Sequence, residues 1–233
     1  MRINGFEGVS LIDYPGKICS IVYTSPCNFK CPYCHNPSLV TANFDVKSEE
    51  DILADIFDRR EFIDAVTVTG GEPVLQPDLP AFFSKIHDIG LLTKLDTNGY
   101  DPESLKKFVE GGLVDYVAMD IKTSPEMYTK AAGLKVDAKK IKKSLNYIMN
   151  CGIDYCFRTT AVPGLVTDED FLAIAHMIEG APLYVIQQFD NEMTLEPSYK
   201  KIKPYTEKQL DHFAGIMRQS VKTVKIANTA AVA

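Results

Sequence analysis

The chain alternates short β-rich runs with amphipathic helical runs over most of its 233 residues, and this alternation limits the fold more than any other feature. Short runs of β-branched and aromatic residues are typical of buried strands, whereas longer segments with apolar residues three and four apart are typical of helices. Strands are predicted at residues 18–24, 65–69, 92–96, 114–119, 155–161 and 183–189, with a weaker strand at 221–226. Helices are predicted at residues 48–60, 78–88, 101–111, 138–150, 168–179 and 206–220.

Strands that alternate with helices favour parallel β-α units, because each helix returns the chain to start the next strand in the same direction. Six or seven units predict an α/β fold, specifically a partial (β/α)6 TIM-type barrel of parallel strands that is open on one side. A doubly wound open sheet is the structural alternative. No linker or repeat divides the chain, so we expect a single domain over residues 1–233.

The polar and glycine-rich motifs of the chain lie where predicted strands end. In a parallel α/β fold these ends share one face, which carries the active site, so we expect the motifs to form one site. In strand order they are the cysteine segment 27–34, Gly70-Gly71-Glu72-Pro73, Asp96-Thr97-Asn98-Gly99, Asp120-Ile121-Lys122, Arg158 with Val162-Pro163-Gly164, and Gln187-Gln188.

Three cysteines, Cys27, Cys31 and Cys34, lie in one short segment with the spacing C-x3-C-x2-C. Three thiolates can hold three irons of a 4Fe–4S cluster and leave the fourth iron open to another ligand. Structural zinc sites usually have four protein ligands, and with His35 as the fourth ligand zinc stays the alternative on spacing alone. This crowding of cysteines indicates metal binding and not a disulfide framework. The remaining cysteines lie in or beside apolar runs, where buried structural thiols are expected: Cys19, Cys151 and Cys156.

Several residues near the predicted strand ends suit a polar or flat ligand. Glu72 can accept hydrogen bonds from an ammonium group, and Lys122 can pair with a carboxylate. Asp96 and Asp120 can bind ribose hydroxyls or a cation, although without the other motifs an ordinary ion pair at the barrel rim is the slightly favoured interpretation. Tyr33 lies between two cysteines and can pack against a flat ligand.

The charge and the N-terminus exclude several classes of protein. A net charge of −6 and a pI near 5.3 argue against a nucleic-acid-binding surface. Lys139, Lys140, Lys142 and Lys143 form a local basic cluster, for which a solvated helix face is the favoured interpretation. No signal-peptide pattern and no apolar run of membrane-spanning length is present, so we expect a cytoplasmic protein with reduced thiols and no membrane partner.

Together, the cysteine segment with Tyr33 before its last cysteine and the later Gly70-Gly71-Glu72-Pro73 resemble the signature pair of the radical S-adenosylmethionine (SAM) superfamily. The resemblance implies that Cys27, Cys31 and Cys34 bind a 4Fe–4S cluster whose open iron binds SAM. It also implies the activity: one-electron reduction of SAM yields a 5′-deoxyadenosyl radical, which removes a hydrogen atom from the substrate.

Further motifs resemble the activating proteins of glycyl radical enzymes. They are Cys34-His35-Asn36, Leu95-Asp96-Thr97-Asn98-Gly99, Met119-Asp120-Ile121-Lys122 and the upstream segment Ile12-Asp13-Tyr14-Pro15-Gly16-Lys17. The similarity runs from about residue 5 to about residue 190. It implies a glycyl radical enzyme as partner and a flavodoxin or ferredoxin as electron donor.

The resemblance also implies roles for single residues, all of them contacts to SAM or to a cation beside it. Tyr33 and His35 are implied to contact adenine, and Gly71 and Glu72 to hold the methionyl amino group. Asp120 and Lys122 are implied to contact the ribose and methionyl ends, and Asp96 and Thr97 to bind a monovalent cation at the SAM carboxylate. Gln187 or Gln188 lies near the position where related enzymes have a histidine that contacts SAM.

Departures from the family pattern bear on the partner. Tyr14 replaces a glycine of the upstream segment, Lys17 replaces an arginine, and the last strand has Gln187-Gln188-Phe189 without a histidine. These features resemble activators of anaerobic ribonucleotide reductase more than pyruvate formate-lyase activases, so we expect that reductase as partner. No cysteine-rich insertion lies between residues 35 and 65, so a second cluster is not expected. The alternatives are a radical SAM enzyme that modifies a small molecule of the deazapurine type or a peptide, and a zinc-binding adaptor without catalysis.

Overall fold

Strands and helices alternate along the structure, a computed structural model that describes residues 1–41 and 46–227. The strands are β1 (Ile3–Tyr14), β2 (Lys17–Thr24), β3 (Ala65–Gly70), β4 (Leu92–Thr97), β5 (Tyr116–Asp120), β6 (Asp154–Ala161), β7 (Tyr184–Gln188) and β8 (Val224–Ala227). The helices are α1 (Pro37–Thr41), α2 (Glu49–Arg59), α3 (Leu79–Asp88), α4 (Pro102–Glu110), α5 (Tyr128–Ala132), α6 (Ala138–Asn150), α7 (Asp168–Met177) and α8 (Glu207–Met217), with 3-10 turns at Pro73–Leu75 and Pro197–Lys201. Every predicted strand and helix is present, with ends shifted by a few residues.

The eight strands form one sheet in the order β1 to β8, which is also their order in the chain. β1 and β2 pair antiparallel, whereas the pairs β2–β3, β3–β4, β6–β7 and β7–β8 are parallel. In the described part of the chain β1 and β8 lie at opposite edges of the sheet and do not pair with each other. Sequential parallel strands in an open sheet are the topology of a partial (β/α) barrel, whereas a doubly wound sheet reverses its strand order. The predicted α/β fold class is therefore confirmed.

The chain divides into two compact units. The first contains Met1–Asn28, Ser38–Thr97 and Glu103–Val117, and the second contains Phe29–Pro37, Asn98–Pro102 and Ala118–Ala233. Residues 42–45 and 228–233 lie outside the described residues. The expectation of a single domain over residues 1–233 stays a prediction.

In the first unit, the apolar faces of α2 and α3 are buried with the central strands. The β-branched runs of β2 and β3 are buried almost throughout, as expected for parallel strands that are covered on both faces. The N-terminus of α2 is capped as its sequence predicts, because the backbone N–H of Asp51 donates to the Ser48 hydroxyl at 3.2 Å. The buried helix side chains are Ile52, Ile56, Leu79, Phe82, Phe83 and Ile86.

In the second unit, α7 and α8 pack together through aromatic side chains. The rings of Phe171 and Phe213 stack with centroids 4.4 Å apart, and Tyr205 meets Phe213 edge-on at 4.9 Å. Both helices begin with a capping box, formed by Thr167 on α7 and Thr206 on α8, so each N-terminus satisfies its own backbone donors.

Strand β1 is the main element that the sequence analysis missed. It joins β2 through a Pro15-Gly16 turn in which Gly16 has a φ of +74°, a left-handed conformation that suits glycine. Its register with β2 is irregular at three places between Ile3 and Tyr14. These irregularities disrupt the two-residue alternation that identifies a strand from its sequence.

The longest helix in the described ranges, α6, has 13 residues. None of the helices in those ranges has the length and apolar character that a membrane crossing requires.

Candidate active site

In the first unit, the Gly70-Gly71 turn packs directly against the backbone that leads to Cys27. The N–H of Gly71 donates to the Thr24 carbonyl at 2.8 Å, and the N–H of Glu72 donates to the Pro26 carbonyl at 3.0 Å. A Cβ atom on Gly71 would lie 2.5 Å from the Pro26 oxygen, and one on Gly70 would lie 2.5 Å from backbone atoms of Thr24. The chain's own backbone therefore requires both glycines, since they hold the start of the cysteine segment in place.

Glu72 is buried and its carboxylate is oriented by neighbouring groups. The Thr97 hydroxyl at the end of β4 donates to Glu72 Oε1 at 2.7 Å, and the Val74 N–H donates to the same oxygen at 3.3 Å. Only 2 % of the Glu72 surface is exposed. A buried carboxylate held in one orientation can bind an ammonium group, and the structure brings together two of the predicted site residues of this unit, Glu72 and Thr97.

Asp96, also at the end of β4, forms a buried ion pair with Lys94. The two side chains lie on the same face of the strand, because residues two apart in a strand point the same way. Lys94 already supplies a positive charge at the carboxylate where the sequence predicts a monovalent cation. No role for Lys94 was predicted, although a lysine two residues before Asp96 within a strand expected to be buried was a signal that could have identified the pair.

Cys19 and Cys156 are buried thiols, as expected for structural cysteines. Burial raises the pKa of Cys19 to about 11, so its thiol is protonated and unreactive at neutral pH. Cys151, at the end of α6, is only half-buried and donates to the Ile148 carbonyl at 3.2 Å.

In the second unit, Asp120 at the end of β5 binds two cations. Arg158 Nε donates to Oδ1 at 2.8 Å, and Lys122 Nζ donates to Oδ2 at 2.9 Å. Burial alone raises the pKa of Asp120, but the charges of Arg158 and Lys122 outweigh it and hold that pKa well below its usual range. Arg158 was predicted to lie at a strand end and was given no role. That position is wrong, because Arg158 lies inside β6 (Asp154–Ala161), from where its side chain reaches Asp120 and joins this group.

Tyr128 on α5 supports the same group from its backbone side. Its hydroxyl accepts from the N–H of Lys122 at 3.3 Å and lies 3.5 Å from the Asp120 carbonyl. The ring is buried, and burial raises the pKa of its hydroxyl well above the usual value. Tyr128 therefore contributes a neutral hydrogen-bonding group that positions the segment containing Asp120 and Lys122.

The second part of the cysteine segment lies close to Lys122 in this unit. Burial raises the pKa values of Cys31 and Cys34, while the Lys122 charge lowers them. Burial lowers the pKa of His35, and Lys122 lowers it further, so the imidazole is neutral at physiological pH. Burial also raises the pKa of Tyr33 well above its usual value. Apolar surroundings thus disfavour a bare thiolate here, and the ammonium group of Lys122 is the nearby charge that favours one.

Gln188, the last residue of β7, is bound to the protein backbone. Its Nε2 donates to the Tyr205 carbonyl at 2.7 Å, which fixes the amide in one orientation. The preceding Gln187 accepts only a long contact from Thr160 at 3.5 Å.

Outside the cysteine segment, the predicted site residues lie at the end of the strand that precedes them or at most two residues beyond it. The cysteine segment extends further, from Cys27 just after β2 to His35 just before α1. Cys27, Gly71, Glu72, Asp96 and Thr97 belong to the first unit. All six cysteines lie in the described residues, and none forms a disulfide. Those residues contain no group of three His, Cys, Asp or Glu side chains arranged to hold one metal ion. The second unit contains the remaining predicted residues, Cys31, Tyr33, Cys34, His35, Asp120, Lys122 and Gln188.

Comparison with known proteins adds independent information. The family model described as the radical SAM superfamily matches residues 21–178. The chain is 33% identical over 229 residues to a putative glycyl-radical enzyme activating enzyme of Methanocaldococcus jannaschii, covering 96% of this chain and 95% of that protein. It is 29% identical over 202 residues to the pyruvate formate-lyase-activating enzyme of Streptococcus mutans, covering 81% of this chain and 75% of that protein.

Among solved structures, the fold is similar to that of Streptococcus suis SuiB bound to S-adenosylmethionine, with a TM-score of 0.68 and 15% identity. The match covers 89% of this chain and 49% of SuiB, so this chain spans about half the length of that protein. At this identity the likeness concerns the fold alone.

Proposed function

This chain belongs to the radical SAM superfamily and to its branch of glycyl-radical-enzyme activating enzymes, and from this premise we propose that it cleaves SAM reductively and removes a hydrogen atom from a glycine of a partner enzyme. One observation carries the proposal: the C-x3-C-x2-C segment and the Gly70-Gly71-Glu72-Pro73 turn occur in a chain similar over nearly its whole length to an activating enzyme. When bound, the cluster supplies the electron that breaks the sulfur–C5′ bond of SAM and so generates the hydrogen-abstracting radical.

The residues present fit a 4Fe–4S cluster and SAM. Cys27, Cys31 and Cys34 are thiols in one short segment with no disulfide, which is the donor set a cluster with one open iron requires. Within the described ranges the buried Tyr33 hydroxyl has no nitrogen or oxygen partner and interacts with the Cys31 thiol. A buried polar group of this kind suits a polar ligand beside the cysteine segment.

The proposed roles of the remaining residues follow from their chemistry. Glu72, oriented by Thr97, accepts the methionyl ammonium of SAM, which the backbone at Gly71 also contacts. Lys122 and Asp120 orient the methionyl and ribose ends, and Arg158 holds the Asp120 carboxylate in its charged form. The contacts proposed only from the resemblance are those of Tyr33 and His35 with adenine, Asp96 and Thr97 with a monovalent cation, and Gln188 with SAM.

For the partner we propose anaerobic ribonucleotide reductase. The support is the pair Gln187-Gln188 at the end of β7, where pyruvate formate-lyase activases have a histidine. The connection between residues 35 and 65 has no cysteine-rich insertion, which argues against the activases that carry a second cluster. We further propose that the reaction takes place in the cytoplasm, with a flavodoxin or ferredoxin as electron donor.

The partner can be tested by electron paramagnetic resonance. The reconstituted protein, SAM and dithionite are mixed anaerobically with the reductase from the same organism, and the glycyl radical signal is measured. We expect a signal that disappears when the target glycine of the reductase is replaced by alanine. A signal on pyruvate formate-lyase but not on the reductase would contradict the choice of partner and leave the chemistry intact.

A further inference from the structure

Residues 135–143 form the most basic segment of an otherwise acidic chain. Five of these nine residues are lysine and one is aspartate, whereas the whole chain has a net charge of −6. All five lysines are exposed. We call this stretch the lysine segment, and its lysines are Lys135, Lys139, Lys140, Lys142 and Lys143.

The stability of α6 does not explain these lysines. The helix has no acidic residue of its own, so Lys139 repels Lys142 and Lys143 at spacings of three and four residues. Lys139 and Lys140 also lie in the first helical turn, where the helix dipole disfavours cations, and Asp137 at the N-cap is the one acidic residue that offsets this. The charges of these lysines therefore do not stabilise α6 and remain available for interaction with a group of opposite charge.

The backbone just before the lysine segment packs against the cysteine segment. The N–H of Lys30, between the first two cluster cysteines, donates to the Ala132 carbonyl at 2.9 Å. Gly133 has a φ of +70°, and a Cβ atom there would lie 1.9 Å from the Lys30 carbonyl oxygen. The close approach is therefore possible only with glycine at this position. Lys30 itself is exposed and adds one more positive charge beside the cluster ligands.

A second contact leads from the lysine segment to the same loop through two aromatic rings. The Lys140 ammonium lies 4.8 Å from the centre of the Tyr100 ring, and the Asp137 N–H donates to the Tyr100 hydroxyl at 3.4 Å. The Tyr100 ring lies 5.4 Å from that of Phe29, which is 1 % exposed and precedes Lys30 in the cysteine segment. Packed aromatic side chains therefore connect the lysine segment to the cysteine segment.

We propose that the lysine segment, with Lys30, is the docking surface for an acidic one-electron carrier protein that reduces the cluster. The inference rests on the proposed function, because reductive cleavage of SAM requires one external electron. The carrier's reduced cofactor loses that electron, the cluster gains it, and no bond is made or broken at the docking surface. Opposite charge would steer the carrier to the part of the surface that lies against the cluster loop.

A nucleic acid is a less suitable occupant. The net charge of −6 would repel an extended polyanion over most of the surface, whereas a compact acidic protein needs only a local patch of positive charge. The contacts with Lys30 and Phe29 also connect the lysine segment to the cysteine segment. An electron carrier bound to these lysines would therefore be close to the cluster that the three cysteines are proposed to hold.

The test compares two variants of the reconstituted protein that change the net charge equally. The first is Lys139→Glu/Lys142→Glu/Lys143→Glu. The control is Lys208→Glu/Lys222→Glu/Lys225→Glu, whose lysines are also exposed. The probe is a purified acidic flavodoxin, and three quantities are measured: its binding by calorimetry, cluster reduction by its reduced form in stopped flow, and 5′-deoxyadenosine formation with dithionite.

In the first variant we expect flavodoxin affinity and cluster reduction to fall by about tenfold or more at low salt and to lose most of their salt dependence. The control variant should keep both, and both variants should keep the rate with dithionite, which needs no docking. Equal losses in the two variants, unchanged flavodoxin kinetics in the first, or a parallel loss with dithionite would overturn the proposal. A wild type that binds flavodoxin but forms no 5′-deoxyadenosine with dithionite would instead contradict the proposed function.

Discussion

Arg158 Nε donates to Asp120 Oδ1 at 2.8 Å, while Lys122 occupies the other oxygen at 2.9 Å. Each carboxylate oxygen therefore binds a separate cation, and Asp120 stays ionised throughout the physiological pH range. The arrangement joins the end of β5 to the interior of β6, where the Ile121 N–H also donates to the Arg158 carbonyl at 2.8 Å. A carboxylate fixed in this way can orient a polar ligand without moving.

Replacing Asp120 with asparagine should weaken SAM binding. The change leaves two neighbouring cations without their common anion, and loss of a charged hydrogen-bond partner is expected to raise the SAM dissociation constant by about tenfold to a hundredfold. The measurement is calorimetry with the reconstituted protein.

The control for this prediction is Asp115→Asn. Asp115 also accepts structural hydrogen bonds, from the Thr93 N–H at 2.7 Å and from His87 at 3.0 Å, but it belongs to no predicted ligand site. We expect it to lower the melting temperature without changing the SAM dissociation constant. Equal effects of the two variants on SAM binding would show that Asp120 acts only through stability.

The Thr97 hydroxyl is expected to position Glu72. Thr97→Val removes the 2.7 Å hydrogen bond to the buried carboxylate, and SAM affinity should fall by about tenfold to a hundredfold, since a hydrogen bond to a charged group is worth about 1.5 to 3 kcal/mol. Thr97→Ser keeps the hydroxyl and should restore most of the affinity. If Thr97→Ser binds SAM as weakly as Thr97→Val, the hydrogen bond is not the cause.

Gly133 and Gly152 provide a matched test of how the cysteine segment is held. Both have a positive φ, but a Cβ atom meets the Lys30 carbonyl at 1.9 Å in Gly133→Ala and nothing within 4 Å in Gly152→Ala. Gly152→Ala should cost about 1 to 2 kcal/mol of the free energy of unfolding from its backbone conformation alone. Gly133→Ala should cost more and should also lower the iron content after reconstitution. Equal iron content in the two variants would argue against the contact.

Asp170 should contribute to a loss of stability in acid. Burial raises the pKa of Asp170, but hydrogen bonds from Ser124 and Thr167 outweigh it, so the net pKa is below the usual value. Its stabilising effect is therefore complete above the unfolded pKa of about 3.9 and is lost as the pH falls through the lower folded pKa.

The check is urea denaturation from neutral pH to about pH 2. Asp170→Asn should be less stable than the wild type at neutral pH, and the difference should shrink in acid. Glu103→Gln, in the exposed first turn of α4, is the control and should show almost no such difference. A constant difference between Asp170→Asn and the wild type at every pH would contradict the proposed cause.

The positions of three predicted site residues in the fold follow from local sequence. Glu72 comes just after β3, and Asp96 and Asp120 lie at the ends of β4 and β5, strands that their composition identifies. Strand β1 was missed because its irregular register with β2 removes the alternation that sequence analysis uses.

Interactions between distant residues were not predictable from the sequence. The pairing of Arg158 with Asp120 depends on which strand lies beside β5, and the contact between Lys30 and Gly133 depends on how α5 packs against the cysteine segment. For the same reason, a solvated helix face was the favoured interpretation of Lys139 and its neighbours. Their relation to the cysteine segment depends on tertiary contacts, one between Ala132 and Lys30 and one through Tyr100 and Phe29.

The central claim is radical SAM chemistry at the three cysteines, and the most direct measurement is 5′-deoxyadenosine formation. Wild type, Cys31→Ala and the control Cys151→Ala are reconstituted anaerobically with iron and sulfide and given SAM and dithionite. We predict product from the wild type and Cys151→Ala and none from Cys31→Ala, which lacks one cluster ligand. A wild type that holds its cluster and binds SAM but forms no 5′-deoxyadenosine, or equal product from Cys31→Ala, would contradict the account.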